Sequence, residues 1–100
     1  MLDVAPEFPG GSEALYRYLA ENIQYPKQAK DKGIEGRVVV QFTITTDGSI
    51  ANVEVARGIG GGCDEEAIRV VKAMPKWKPA IKDGKPAAGH YNLPINFKLQ

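Results

Sequence analysis

A proline interrupts the last alternating run of the chain, and that run constrains the fold more than any other segment. Residues 91–99 read Tyr-Asn-Leu-Pro-Ile-Asn-Phe-Lys-Leu. Tyr91, Leu93, Ile95, Phe97 and Leu99 are apolar, and Asn92, Pro94, Asn96 and Lys98 separate them. A period of two is the signature of a strand with one buried face. Proline has no N–H to give to a ladder, so a strand that holds one belongs at a sheet edge. The last strand must therefore lie outermost, with Pro94 turned away from its neighbour. Alternate residues of an antiparallel strand aim their backbone groups at opposite sides. Asn92, Asn96 and Lys98 share the outward side with Pro94, while Tyr91, Leu93, Ile95 and Phe97 bond inward. Such an edge is either a docking site for an added strand or a hazard that must be blunted. Pro94 and Lys98 are themselves residues that blunt edges.

The rest of the sheet is legible upstream. Val38, Val40, Phe42 and Ile44 alternate with Arg37, Val39, Gln41, Thr43 and Thr45. This longest and most apolar strand should be central. Asp47-Gly48 signals a hairpin into a second strand with Ile50, Val53 and Val55. The change of phase between Ile50 and Val53 implies a bulge or a frayed start.

Three segments carry helical spacing. Residues 13–21 place Leu15, Tyr18, Leu19 and Asn22 on one face, with Ser12 as the N-cap and Glu13 in the first turn. That helix stops before Tyr25-Pro26, because a residue preceding proline avoids the α region. Pro26 opens a short second helix through Lys32, and Gly33 stops it. Ala67, Val70, Val71 and Met74 form the stripe of a third helix, capped by Asp64 and ended by Pro75. Trp77 lies between Lys76 and Lys78, which implies an inward indole with outward lysines. Asp83-Gly84-Lys85-Pro86 reads as a turn.

These elements give an α+β, two-layer domain. An antiparallel three-stranded sheet carries two main helices and one short helix on one face. With 100 residues there is room for one domain. Residues 1–11, with Pro6, Pro9, Gly10 and Gly11, read as an extended lead-in, and residues 12–100 as the domain.

The chemistry of an enzyme is absent from the sequence. His90 is the only histidine and Cys63 the only cysteine, so no catalytic pairing, disulfide or metal framework is in view. Cys63, after Gly60-Gly61-Gly62, reads as an incidental thiol in a loop. Those glycines precede a helix, but Asp64, Glu65 and Glu66 at its start would repel a phosphate. A net charge of +1 argues against duplex nucleic acid. The lysines at 72, 76, 78, 82 and 85 read as a solvated face. No run reaches the length of a membrane span, and Met1 to Val4 lack a signal-peptide pattern. No catalytic residue, metal site or cofactor is expected, and a binding module is.

The order and spacing of several motifs resemble the C-terminal domain of TonB energy-transducing proteins. They are Phe8-Pro9-Gly10-Gly11, Asn22-Ile23-Gln24-Tyr25-Pro26, and Gly33-Ile34-Glu35-Gly36-Arg37-Val38 with Phe42. Asp47-Gly48-Ser49-Ile50, Asp64-Glu65-Glu66-Ala67 and Met74-Pro75-Lys76-Trp77-Lys78-Pro79 follow. Gly84-Lys85-Pro86 and Leu93-Pro94-Ile95-Asn96-Phe97 close the set, which covers residues 8–99 and is closest to Bacteroidetes-like versions.

The resemblance implies a periplasmic domain, excised here from an inner-membrane anchor and a Pro-rich spacer upstream of Met1. It implies coupling to the proton-motive force through an ExbB–ExbD complex acting on that upstream region. The implied partners are outer-membrane transporters for siderophores, vitamins or glycans. Their short N-terminal TonB box would add as a strand to the edge inferred from Pro94. The family also places the segment before Tyr-Pro against the receptor, here Asn22, Ile23 and Gln24 with Tyr25. Tyr91, Asn92, Pro94, Asn96 and Lys98 complete the expected partner-binding set. Ala80 and Ala87-Ala88-Gly89 depart from the family pattern and imply a shortened last strand, with Tyr91 its first firm position. Two other readings stay open: a structural or sensory module of a membrane peptidase or sensor, and a strand-exchanged homodimer.

Overall fold

Alternation in the longest apolar strand sets the core. The computed structural model describes residues 3–99. Helix α1 spans Gly11–Asn22 and helix α2 Lys27–Lys32. Strands β1 (Gly36–Ile44) and β2 (Ile50–Arg57) follow, then helix α3 (Cys63–Lys72). Strands β3 (Ala80–Lys82), β4 (Lys85–Ala87) and β5 (Gly89–Phe97) complete the chain. The main sheet is antiparallel with the order β2-β1-β5, so β1 is central and β5 outermost. Val38, Val40, Phe42 and Ile44 meet Leu93, Ile95 and Phe97 in the core, under Leu15, Leu19, Ala29, Val70 and Val71 of the helices. The opposite face carries Arg37, Gln41 and Thr43 beside Asn96, Asn92 and His90, its polar cross-strand neighbours.

β2 is bulged, as its phase implied. Gln41 faces Glu54 and Thr43 faces Ala51, so β2 spends one residue more than β1 there. Asn52 absorbs it at φ +52°, in the left-handed region that asparagine tolerates. The hairpin turns through Thr45–Ser49, where Asp47 accepts from the Ser49 amide at 3.1 Å.

Trp77 packs as core. It is 3% exposed, edge-on to Phe8, Phe42 and Tyr91 with centroids at 5.6, 5.5 and 5.0 Å. Its indole nitrogen is buried, with no hydrogen-bond partner among the described residues.

Several boundaries differ from expectation. α1 is capped by Gly10 at φ +90° rather than by Ser12, because the Gly11 amide already turns back to the Phe8 carbonyl at 2.8 Å. Pro26 is the N-cap of α2, not its first residue. α3 is capped by Gly62 rather than Asp64, whose carboxylate instead takes the amides of Ile59 (2.9 Å) and Gly60 (3.3 Å). Cys63 thus begins the helix and is fully buried, and burial pushes its thiol pKa up. The Asp83-Gly84 turn joins β3 to β4 in a small second sheet that alternation did not reveal. Residues at the chain's start run beside it, with Val4 bridging Ile81 and Glu7 bridging Lys78. β5 begins at Gly89, opposite Ile44, rather than at Tyr91. It ends at Phe97, and the Leu99 amide leaves the ladder for Glu35 Oε1 at 2.8 Å.

Candidate functional site

Nine consecutive residue pairs join β5 to β1 without a shift, from Gly36 opposite Phe97 to Ile44 opposite Gly89. Pro94 lies opposite Val39. Pairs in an antiparallel ladder alternate between exchanging both backbone bonds and exchanging none. Proline cannot exchange both, so the Val39–Pro94 pair is of the second kind. The same phase governs Arg37–Asn96, Gln41–Asn92 and Thr43–His90. The backbone groups of His90, Asn92 and Asn96 therefore aim away from β1. Among the described residues no strand pairs with that side.

A groove runs along this edge. Tyr16, Leu19, Ala20 and Ile23 form one wall, and Pro94, Ile95 and Asn96 the other. Tyr16 is 52% exposed, unusual here for a large apolar side chain. Residues 16, 19, 20 and 23 stand at i, i+3, i+4 and i+7, so a second stripe on α1 was readable in the sequence. The core-facing stripe with Leu15 and Tyr18 overlaps it at Leu19 and masks it in the spacing.

The segment after α1 is held from the far side. Glu66 accepts from the Gln24 amide at 2.6 Å. Arg69 meets Glu66 through two nitrogens, at 2.7 and 2.6 Å, and donates to the Asn22 carbonyl at 2.9 Å. These bonds hold the Glu66 carboxyl below its ordinary pKa, the Arg69 hydrogen bonds contributing most. Ile23, in extended conformation at φ −77° and ψ 136°, closes the end of the groove.

Of the expected partner-binding residues, the fold brings Ile23, Pro94 and Asn96 to one groove. Asn22 and Gln24 flank Ile23 with their backbones tied to α3. Asn92 lies farther along the same edge. Three others have different surroundings. Tyr25 donates its hydroxyl to the Ile34 carbonyl and packs edge-on against Phe97 with centroids at 5.6 Å. Tyr91 turns inward against Phe42 and Trp77. Lys98 stands one residue past the end of β5. His90, absent from the expected set, shares the outward phase, and its ring meets the Thr43 hydroxyl at 3.2 Å.

Comparison with known proteins agrees with this architecture. The family model for the Gram-negative bacterial TonB protein C-terminal region matches residues 21–99. Protein TonB of Helicobacter pylori is 50% identical over 78 residues, covering 77% of this chain and 26% of that protein. Protein TonB of Pseudomonas aeruginosa is 37% identical over 78 residues, covering 76% of this chain and 22% of that protein. The chain thus spans about a quarter of the length of these curated relatives. The solution structure of the Pseudomonas aeruginosa TonB C-terminal domain superposes with a TM-score of 0.58 at 33% identity, covering 78% of this chain and 79% of that one. With the family model matching residues 21–99 and relatives 37–50% identical over 78 residues, this chain belongs to the Gram-negative bacterial TonB protein C-terminal family.

Proposed function

We propose that this domain docks the N-terminal segment of outer-membrane transporters by adding it as a strand to β5. The observation that carries this reading is the edge itself: nine residues in unbroken register with β1 on one side and outward backbone groups on the other. Strand addition draws affinity from main-chain hydrogen bonds and specificity from pockets for alternate side chains. The outward groups of His90, Asn92 and Asn96 supply the first, and the groove between α1 and β5 supplies the second. Backbone recognition also lets one domain serve receptors whose TonB boxes differ in sequence.

In this reading the domain works in the periplasm as the distal end of a TonB-type transducer. The proton-motive force enters through an ExbB–ExbD complex acting on the region upstream. The docked strand then transmits pull to the transporter, because several hydrogen bonds are loaded together when force runs along the strand. This role requires binding and no covalent step.

An NMR titration of the labelled protein with synthetic N-terminal segments of outer-membrane transporters tests the reading. Shifts at His90, Asn92 and Asn96, with Ile23 responding, support it. A well-folded sample that responds to no segment overturns it. Pairing of β5 with a second copy would appear as concentration-dependent mass before any peptide is added.

A further inference from the structure

Two backbone groups at the C-terminal end of α1, the Asn22 carbonyl and, two residues on, the Gln24 amide, have no partner within the helix. Both find theirs on one ion pair of α3. The Glu66 side chain is only 12% exposed, and its oxygens take three donors: Arg69 twice and the Gln24 amide. Arg69, 52% exposed, spends its remaining reach on the Asn22 carbonyl. An ordinary surface pair at i, i+3 has no such third and fourth partner and adds only a few tenths of a kcal/mol to a helix. α1 also has no basic residue in its own last turn. Arg69 places a cation there from another element, where the helix dipole favours one.

The residue in between belongs to the groove. Ile23 lines it opposite Pro94, Ile95 and Asn96, and the backbone groups on either side of Ile23, the Asn22 carbonyl and the Gln24 amide, are both held by α3.

We propose that Glu66 and Arg69 are positioning residues, a clasp that holds Asn22–Gln24 in the conformation that receives the docked strand. This rests on the edge-docking reading above. Without the clasp the segment samples other conformations, and apparent affinity falls by the fraction of time it is competent. Loss of these charge-assisted bonds sets that fall at about tenfold.

The test combines amide hydrogen exchange with peptide binding in the whole chain. The probe is a synthetic N-terminal segment of an outer-membrane transporter that binds the unaltered protein. Glu66→Ala keeps a good helix former on α3. It should speed exchange at Gln24, leave Val40 and Leu93 in the sheet unchanged, and weaken binding about tenfold. Glu66→Gln retains an acceptor for the Gln24 amide and should recover part of both. Arg69→Lys, which cannot fork between Glu66 and Asn22, should behave more like the alanine variant. Unchanged exchange at Gln24 in Glu66→Ala overturns the proposal. So does faster exchange with unaltered affinity. If the unaltered protein binds no segment at β5, the docking reading falls first and the clasp's role in it falls too.

Discussion

The Trp77 amide donates to the Gly48 carbonyl at 2.9 Å, and a Cβ on Gly48 would lie 2.1 Å from the Trp77 carbonyl oxygen. The hairpin turn and the chain beyond α3 thus meet backbone to backbone. That contact seats the indole against Phe42 of β1 and Tyr91 of β5. Gly48 also holds φ +88°, so glycine serves both the turn and the close approach.

Gly48→Ala should therefore cost about 3 kcal/mol or more, from left-handed strain and displaced backbone together. Gly33 provides the control. It holds φ +67°, but a Cβ there would meet nothing within 4 Å. Gly33→Ala should cost only about 1 kcal/mol, the strain alone. Urea unfolding of the two variants separates the effects, and equal losses would refute the backbone contact.

Trp77→Ala should destabilise the domain by roughly 3–5 kcal/mol, as truncation of a large core aromatic does. Trp77→Phe should cost far less, about 1–2 kcal/mol, because it keeps an aromatic ring among Phe8, Phe42 and Tyr91. A Trp77→Ala protein that melts normally yet fails to bind peptide would make the tryptophan a contact surface instead.

Asn96→Pro removes an outward donor from β5 while sparing the bonds to β1 made by Ile95 and Phe97. Far-UV circular dichroism and melting should stay close to the parent, since the side chain loses only an exposed 3.3 Å bond from Arg37. Peptide affinity should drop several-fold, about the worth of one hydrogen bond. Unchanged affinity in the folded variant would show that the docked strand lies elsewhere.

Glu66 has a lowered pKa in the folded chain, set first by its hydrogen bonds from Arg69. A free glutamate titrates at about 4.3. Its contribution to stability is therefore complete above that value and is lost as pH falls through the lower folded one. The Gln24 amide resonance should stay flat from neutral pH down to about 4.3 and move only below it. A transition near pH 6 at Gln24 would contradict the clasp as the controlling group.

Strand order was legible because one residue type leaves little choice. Pro94 forces its strand to an edge, and the apolar run at Val38–Ile44 claims the centre. The third helix followed from spacing, and the bulge in β2 from a single change of phase at Ile50–Val53. Helix caps were less legible, because Gly10 and Gly62 act through backbone conformation while Ser12 and Asp64 advertise side chains. β3 and β4 escaped because each has three residues, too short to show a period. At the site, the clasp joins residues 42 and 47 positions apart, and no local pattern encodes such a bond. The second stripe on α1 was present in the sequence at Tyr16, Leu19, Ala20 and Ile23. No local pattern shows that β5 lies beside it and closes a groove.

Amide hydrogen exchange along β5, with and without a bound transporter segment, tests the docking edge most directly. Leu93, Ile95 and Phe97 face β1 and should be protected in both states. His90, Asn92 and Asn96 should exchange freely in the unbound protein and become protected when the segment binds. Binding that leaves Asn92 and Asn96 exchanging freely would contradict strand addition at β5.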